Sequence, residues 1–489
     1  MSSPRNEHNN ADGTFRIGSK SLSAIDQAHI WHPYTQHAIA GKPLLVTRAQ
    51  GEFIYVIDKD GQERKIIDGV SSWWVNIHGH CNRYISDRIK QQLDKHEQVI
   101  FAGFTHEPAI QFIDKLLPLL PRADITSNSH NPRILTKAFF SDNGSTATEI
   151  AIKMAIQYWY NQGRPERKRI IAFKDGYHGD TVGAMSVSNT PILHQPFKQL
   201  MFPVDLVDSP SPRFVKPNTS LGSRQQSLVK EEAKELAEDN SLNQIIELID
   251  RYPDQIAALI IEPLVQGAGG MKFHRTQFLQ KLRKLCSDHG IIMIADEVFT
   301  GFGRTGMNFA CSNAVIVPDI ICLSKAITGG FLPMGLTVTT EEIYSAFHSE
   351  SQLKTFFHGH SYTGNSLACA AALASLELYI KEDRLKDVQY INLIMNQEFK
   401  KLEGLSIIKD IRILGAIGVI EFHAEGEYLS NIGPILAQAF MEKQILLRPL
   451  GNVLYFMPPY TISVDSLNYC MVSIKEVIRE LIGGKYNFN

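Results

Sequence analysis

An acid and an amine follow two separate apolar runs of the sequence, and together they could serve one reaction. Lys325 follows the run 319–323, and Asp296 follows the run 291–295. Both runs have the length of fully buried strands in a parallel sheet. Because ligands of such sheets bind at the carboxyl ends of the strands, we expect both side chains to face one crevice.

A lysine and a carboxylate in one crevice are the groups that pyridoxal phosphate (PLP) requires. The amine forms a Schiff base with the cofactor, and the carboxylate pairs with its pyridinium nitrogen. A buried Asp296 beside that nitrogen would stay ionised and keep the nitrogen protonated. A lone lysine after a strand is more often a solvated loop residue, so the assignment depends on what other segments contribute.

A possible phosphate site lies between the predicted strand 138–140 and the predicted helix that follows it. The intervening residues are Asn143, Gly144, Ser145 and Thr146. Glycine lets the backbone approach a ligand closely, and the free N–H groups at a helix start attract a phosphate. Ordinary helix capping would explain these residue types when they are taken alone.

A third segment supplies an aromatic ring. Tyr177 lies between two glycines after the apolar run RIIAF, where its ring could stack on a planar cofactor. The adjacent His178 is either a catalytic base or a turn residue. The segment GFGRTG that follows Asp296 resembles a dinucleotide-binding fingerprint only superficially, because it lacks the strand-to-helix context. We therefore reject a nicotinamide dehydrogenase.

Two histidines, His358 and His360, precede the hydroxyl of Ser361 and the Ala-rich segment after it. Because no carboxylate or cysteine joins them at ligand spacing, we predict no metal site. The hydroxyl of Ser361 is better suited to contact a phosphate.

The composition excludes several classes of protein. The 489 residues carry 49 Lys and Arg against 51 Asp and Glu, so no basic excess favours nucleic acid as a partner. The six cysteines form no C-x-x-C pair, which is typical of reduced thiols. The N-terminus has no apolar signal segment, and no run approaches a membrane span. We expect a cytoplasmic protein without a membrane segment.

Short apolar runs alternate with amphipathic segments from residue 137 onward, which predicts a mainly parallel sheet with helices on both faces. Residues 209–240 interrupt this alternation, and we interpret them as an insertion loop leading into a solvated helix. Near the N-terminus, Asp60-Gly61 predicts a turn within a β-hairpin or meander, and we place Trp73-Trp74 on a strand. The predicted organisation is a disordered extension (1–20), an N-terminal segment of a small domain (21–70), a large PLP-binding domain (71–380) and a C-terminal small domain (381–489).

As an ordered set, these motifs resemble the class III, fold-type I PLP-dependent aminotransferases. The resemblance covers about residues 30–459 and includes NGSTATE, YHGDT, ADEVFTGFGRTG, LSKAITGGFLPMG and TGNSLACAAALASL. It implies an α/β fold in which a large domain with a mainly parallel seven-stranded sheet is joined to a smaller α+β domain. It also implies a homodimer whose active site is shared across the interface.

The resemblance implies three groups of site residues. The catalytic residues would be Lys325, Asp296 and Tyr177. The cofactor-binding residues would be Gly144, Ser145, Tyr177, Asp296, Lys325, His360 and Ser361, and the phosphate would be reached by Ser361 of the partner subunit. The substrate-binding residues would be Tyr34, Trp73, Tyr177, Lys325, Gly359 and Arg448. The family usually has Gly-Pro-Thr where this chain has Gly359-His360-Ser361, so that contact with the phosphate is less rigidly specified here.

Three stretches, WHPYTQH, DGVSSWW and LLRPLGNVLYFMPPY, are similar to members of the family that act in biotin biosynthesis. Those members transfer an amino group from S-adenosyl-L-methionine (SAM) to 8-amino-7-oxononanoate, which gives 7,8-diaminononanoate. Four alternatives stay open: lysine as the donor, another class III aminotransferase that uses an ω-amine, a PLP aminomutase, and a non-catalytic relative.

Overall fold

The computed structural model describes residues 19–122, 133–212 and 223–486 of the chain. Its α-helices are, in chain order, α1 (Ser19–His29), α2 (Ser71–Trp74), α3 (Arg83–Leu93), α4 (Glu107–Leu116), α5 (Gly144–Asn161), α6 (Val182–Ser186), α7 (Pro191–His194), α8 (Ser223–Arg251), α9 (Thr276–Asp288), α10 (Ala310–Asn313), α11 (Glu341–Ser345), α12 (Ser366–Lys381), α13 (Arg384–Phe399), α14 (Ile432–Glu442) and α15 (Val464–Ile482).

The strands are β1 (Leu45–Gln50), β2 (Phe53–Ile57), β3 (Glu63–Asp68), β4 (Leu135–Ser141), β5 (Arg169–Phe173), β6 (Asp205–Val207), β7 (Ile256–Ile261), β8 (Val265–Gln266), β9 (Lys272–Phe273), β10 (Ile292–Asp296), β11 (Ile320–Leu323), β12 (Gly335–Thr340), β13 (Ile408–Leu414), β14 (Ile417–Phe422), β15 (Ile445–Leu446) and β16 (Val453–Phe456).

The largest sheet has seven strands in the order β4-β12-β11-β10-β7-β5-β6. The neighbours β11, β10, β7, β5 and β6 pair in parallel, whereas β12 runs antiparallel to both β11 and β4. The predicted mainly parallel seven-stranded sheet is therefore confirmed. Its apolar runs form β4, β5, β7, β10 and β11, while β6 and β12 were not anticipated.

Successive side chains of the central strands enter two different core layers. In β7, Leu259 and Ile261 belong to one layer, and Ala258 and Ile260 belong to the other. Helices α9 and α12 contribute to the first layer, and α5 contributes to the second. Because both faces of these strands are covered, every side chain of β7 is buried and the strand has a continuous apolar sequence.

A second sheet joins the N-terminal and C-terminal parts of the chain, with the order β1-β2-β3-β15. Strands β1, β2 and β3 form the predicted antiparallel meander, and Gly61 adopts a φ of +79° in its second turn. Strand β15 then pairs in parallel with β3, where Ile445 lies opposite Ile67. This pairing supports the assignment of 21–70 and 381–489 to one small domain, a division that stays a prediction.

The prediction that Trp73 and Trp74 lie on a strand is wrong. The segment Ser71–Trp74 forms one short turn, and all four of its residues have positive φ, from 45° to 76°. For residues other than glycine, left-handed backbone costs roughly 1–2 kcal/mol per residue. Such a turn persists only where its surroundings stabilise it.

The Asp68 carboxylate stabilises this left-handed turn. Asp68 is fully buried and accepts hydrogen bonds from the Ser72 backbone N–H at 2.9 Å and from the Ser72 hydroxyl at 2.8 Å. His80 Nε2 donates to the same carboxylate at 2.9 Å. The Ser71 hydroxyl also donates to the carbonyl of the distant residue Met457 at 2.8 Å, a tertiary contact that the local sequence cannot indicate.

Two predictions fall partly outside the described residues. Of the predicted disordered extension (1–20), residues 1–18 lie outside the description, and the last two residues begin α1. Within the predicted insertion (209–240), residues 213–222 lie outside it, and α8 begins at Ser223. Over the part of the chain that the structure describes, no helix is long and apolar enough to cross a membrane.

Candidate active site

A cleft of about 620 Å³ opens beyond the carboxyl ends of β7, β10 and β11 and the start of α5. Five predicted site residues line it together: Gly144, Ser145, Tyr177, Asp296 and Lys325. The expectation that strand-end side chains share one crevice therefore agrees with this geometry.

Lys325 follows β11 after one intervening residue and begins the 3-10 turn Lys325–Thr328 with a φ of +47°. Its Nζ lies 4.4 Å from the ring centroid of Trp74 and 5.5 Å from that of Phe299. Burial lowers the pKa of Lys325 to about 8, although the carboxylates of Asp296 and Glu262 oppose this shift. A larger share of the amine is therefore neutral, and hence nucleophilic, near neutral pH.

Asp296 is the last residue of β10 and is only 4% exposed. His178 Nδ1 donates to Asp296 Oδ2 at 2.7 Å, and the backbone N–H of Val298 donates to Asp296 Oδ1 at 3.0 Å. His178 is itself buried, and its backbone N–H donates to Ser188 Oγ at 2.8 Å. Its imidazole therefore fixes the orientation of the Asp296 carboxylate.

Glu262 follows β7 and also lines the cleft. Its two carboxylate oxygens accept the backbone N–H groups of Tyr177, at 2.9 Å, and Gly267, at 2.8 Å. Burial raises the pKa of Glu262 to about 7, a shift that the neighbouring His178 opposes. We call His178, Glu262, Asp296 and Lys325 the cleft floor.

The start of α5 presents polar groups to the same cleft. Asn143 caps the helix by accepting the Thr146 N–H at 3.0 Å, while the Thr146 hydroxyl accepts the Asn143 N–H at 3.1 Å. Ser145 Oγ accepts the Thr181 N–H at 3.0 Å. A Cβ atom on Gly144 would lie 2.5 Å from a Val298 methyl group, so only glycine fits there. The first N–H groups of the helix have no intrahelical partner and favour an anion.

Beyond Tyr177 lies a group of exposed side chains from distant segments, which adjoin the cleft but do not line it. The hydroxyl of Tyr34 lies 3.2 Å from that of Tyr177 and also donates to the Asp180 carboxylate. The Tyr34 ring packs edge-on against Trp73, with 5.8 Å between centroids, and the Arg448 guanidinium lies 4.0 Å from the centroid of the Trp73 ring. We call Tyr34, Trp73, Tyr177 and Arg448 the aromatic wall.

The tyrosines of the aromatic wall are held in their protonated state. Burial, followed by the hydrogen bond to Asp180, raises the pKa of Tyr34 to about 12. Burial and the hydrogen bond to Tyr34 raise the pKa of Tyr177 well above its ordinary value. Both hydroxyls therefore stay available as hydrogen-bond donors at neutral pH.

Gly359, His360 and Ser361 lie outside the lining of the cleft. His360 Nε2 is 3.6 Å from Asp142 Oδ1 at the cleft edge, and the Ser361 carbonyl accepts a hydrogen bond of 2.9 Å from Gln98 Nε2. Within the described ranges, no group of three or more His, Cys, Asp and Glu residues is arranged to hold a metal ion.

Sequence reasoning missed several residues of the site. Trp74 and Phe299 contact the Lys325 amine, and the Thr181 hydroxyl shares a 2.7 Å hydrogen bond with that of Ser145. His194 stacks on the Tyr177 ring. Trp74 and Thr181 neighbour motif residues and could have been found by that signal, whereas nothing in the sequence near His194 indicates its position.

The comparison with family models gives one match over most of the chain. The model described as aminotransferase class-III matches residues 35–478. The chain belongs to the class III aminotransferase family. It is therefore an enzyme of the transaminase type, and the match includes Lys325 and Asp296.

Individual relatives agree with this family over nearly the whole chain. A curated protein of Synechococcus elongatus, named adenosylmethionine-8-amino-7-oxononanoate aminotransferase, is 43% identical over 93% of this chain and 99% of its own length. The crystal structure of the protein of that name from Methanocaldococcus jannaschii gives a TM-score of 0.82 at 35% identity, covering 95% of this chain and 99% of its own. The PLP-bound structure of an amine transaminase from an uncultivated Pseudomonas species gives 0.79 at 29% identity, with coverages of 91% and 97%.

Proposed function

We propose that this enzyme is a PLP-dependent aminotransferase of biotin biosynthesis. It would transfer the α-amino group of SAM to the ketone of 8-amino-7-oxononanoate and so form 7,8-diaminononanoate. The observation that carries the proposal is that Tyr177 joins the cleft floor to the aromatic wall. Its backbone N–H donates to Glu262 of the floor, and its hydroxyl lies 3.2 Å from that of Tyr34 in the wall. The similarity to relatives named for this reaction, over nearly their whole length, supports the choice of substrates.

The residues of the cleft fit PLP. The cofactor needs an amine for covalent attachment, a carboxylate for its ring nitrogen, an aromatic neighbour and an anion site for its phosphate. The cleft offers these as Lys325, Asp296, Tyr177 and the start of α5.

We assign the cofactor contacts accordingly. When bound, PLP supplies an aldehyde that carries the amino group and a protonated ring that delocalises the electrons of a carbanion. Gly144 and Ser145 would hold its phosphate, and Asp296, oriented by His178, would hold its ring nitrogen. Tyr177 would stack on the ring.

Lys325 would move the protons of both half-reactions. Its Nζ would take the proton from the α-carbon of SAM in the first half-reaction. In the second it would give a proton to the carbon that was the ketone carbon of the acceptor. A lysine whose pKa lies near 8 can both accept and donate a proton close to neutral pH.

The aromatic wall suits both substrates. The rings of Tyr34, Trp73 and Tyr177 can attract the sulfonium cation of SAM and can bury the aliphatic chain of the acceptor. Both substrates carry a carboxylate, which Arg448 can bind through two parallel hydrogen bonds. The contact of Arg448 with Trp73 holds its guanidinium at the edge of the wall.

We also propose that the enzyme is a cytoplasmic homodimer. Gly359, His360 and Ser361, which do not line the cleft of their own chain, would serve the cleft of the other subunit. The large side chains of Phe357 and Tyr362, beside this segment, are 72% and 61% exposed, which is typical of an interaction surface.

A donor panel tests the proposal. The PLP-loaded enzyme is incubated with 8-amino-7-oxononanoate and, separately, SAM, lysine or 4-aminobutyrate, and 7,8-diaminononanoate is measured by mass spectrometry. Product with SAM supports the proposal, whereas product with lysine or the ω-amine alone would replace the donor. Isomerisation of a substrate without any donor would indicate an aminomutase. A PLP-loaded protein inert toward every donor would contradict the enzymatic account.

A further inference from the structure

We propose that His194 is a positioning residue that acts through Asp180 to hold Tyr34 and Tyr177 in the aromatic wall. This inference rests on the proposed function, because it concerns the surface that binds the donor. His194 belongs to no motif that the sequence singled out, and it does not line the cleft. Its role follows from what its imidazole contacts.

His194 is the last residue of the short helix α7 and is only 4% exposed. Its Nε2 lies 3.6 Å from Asp180 Oδ1, and its ring stacks on Tyr177, with 6.1 Å between centroids and 18° between planes. Neither ring nitrogen has a hydrogen-bond partner among the described residues. A buried imidazole without a partner is costly, and Asp180 is the acceptor within reach.

Asp180 connects this histidine to the aromatic wall. One oxygen of its carboxylate faces His194, and the other accepts the Tyr34 hydroxyl. The nearby His194 imidazole, more than any other group, holds the pKa of Asp180 below its ordinary value. The carboxylate is therefore ionised when it receives the Tyr34 hydrogen bond, which strengthens that bond.

The four side chains close a ring of contacts. His194 faces Asp180, and the Asp180 carboxylate accepts the hydrogen bond of the Tyr34 hydroxyl. The Tyr34 hydroxyl lies 3.2 Å from that of Tyr177, and the Tyr177 ring in turn stacks on the imidazole of His194. Tyr34 belongs to the segment that follows α1 and is 49% exposed, whereas His194 is buried. The buried histidine thus fixes an exposed arm of the chain against the donor site. At active sites, long contacts such as the one of 3.6 Å often shorten when substrate binds.

A pair of amide substitutions tests this role. His194→Gln places an amide nitrogen near the position of Nε2 and can still donate to Asp180, whereas the shorter His194→Asn cannot reach it. We expect His194→Asn to raise the KM for SAM about tenfold, the usual contribution of one hydrogen bond to a charged group, with PLP affinity within twofold of wild type. His194→Gln should recover most of that loss. His289→Asn, at an exposed histidine after α9, is the matched control.

A double variant separates positioning from a general structural effect. If His194 acts through Asp180, then His194→Asn combined with Asp180→Asn should raise the KM no further than Asp180→Asn alone. Additive effects, an equal loss of PLP affinity, or equal damage from the Gln and Asn substitutions would overturn the inference. If His194→Asn does not fold, His194→Leu, which fills the space without a donor, takes its place in the same cycle.

The outcome is distinguishable from a failure of the proposed function. If the wild-type enzyme uses lysine instead of SAM, the proposed donor is wrong, and the same cycle measured with lysine still decides whether His194 acts through Asp180.

Discussion

The cleft floor and the aromatic wall meet at Tyr177 but are built in different ways. The floor residues Asp296 and Glu262 follow directly from strands of the central sheet and are 4% and 6% exposed. In the wall, Trp73 and Tyr34 come from irregular segments and are 38% and 49% exposed. The floor is therefore fixed by the sheet, whereas the wall depends on side-chain contacts between distant parts of the chain.

This difference in construction matches two different functions, catalysis in the floor and substrate selection in the wall. Proton transfer needs groups held at fixed distances, and buried strand ends provide rigid positions for them. Substrate selection can be changed on loops without disturbing the core. We therefore expect substitutions in the floor to lower kcat and substitutions in the wall to raise KM.

The largest effect is expected at Lys325. Lys325→Ala removes the amine that we propose attaches the cofactor and moves the protons, so kcat should fall by about 10⁴-fold. Binding of SAM at the aromatic wall, measured by calorimetry, should change by less than threefold. Lys168→Ala, at an exposed lysine beside β5, is the control. Residual turnover near the wild-type rate would show that another group performs the chemistry.

A second floor substitution, Asp296→Asn, removes the charge that we propose pairs with the cofactor ring and leaves His178 without its carboxylate partner. We expect kcat to fall roughly 10²- to 10³-fold, comparable to the loss of one preorganised electrostatic group. Steady-state kinetics should show a KM for SAM close to that of wild type. The control is Asp288→Asn on the exposed face of α9, and an unchanged kcat would contradict the role of Asp296.

The matching substitution in the wall is Arg448→Ala. Loss of a charge-assisted contact with the substrate carboxylate should raise the KM roughly 10- to 100-fold. The value of kcat at saturation should stay within about threefold, because Arg448 touches no group of the floor. Arg479→Ala, at an exposed arginine of α15, is the control. A large fall in kcat with unchanged KM would break the division between floor and wall.

The smallest predicted effect concerns pH. In the proposed role of Lys325, its neutral form captures PLP, and the neutral share grows as pH rises through the pKa, which burial lowers from 10.5 to about 8. The rate at which the apoenzyme binds PLP, followed by absorbance, should therefore reach its half-maximum near pH 8. Since the Glu262 carboxylate raises the pKa of Lys325, Glu262→Gln should move the midpoint to lower pH. A midpoint near 10 in either protein would contradict the environment described for this lysine.

The fold was largely predictable where both faces of a strand are buried. The six residues of β7 are all buried, so an uninterrupted apolar sequence marked the strand. Strand β12 escaped prediction because it contains buried threonines. Their hydroxyls are satisfied by the backbone, Thr337 by donating to the Ala147 carbonyl at 2.8 Å and Thr339 to the Asp319 carbonyl at 3.0 Å. Such residues interrupt the apolar pattern without disturbing the strand.

The site, like the fold, was predictable only in part. The floor could be inferred because strand ends bring Asp296 and Lys325 to one edge of the sheet. The left-handed turn that carries Trp73 and Trp74 could not be inferred, because part of its support is the tertiary hydrogen bond from the Ser71 hydroxyl to the Met457 carbonyl. His194 gave no local signal, because its contacts with Asp180 and Tyr177 are formed only in the folded chain.

The most direct test of the account is the visible absorption spectrum of the PLP-loaded enzyme. The account predicts a yellow band that SAM bleaches and that 8-amino-7-oxononanoate then restores, because floor and wall act on the same bound substrate. A band that lysine bleaches but SAM leaves unchanged would contradict the assignment of the aromatic wall. A protein that stays colourless in excess PLP would contradict the cleft floor and, with it, the central role of Lys325.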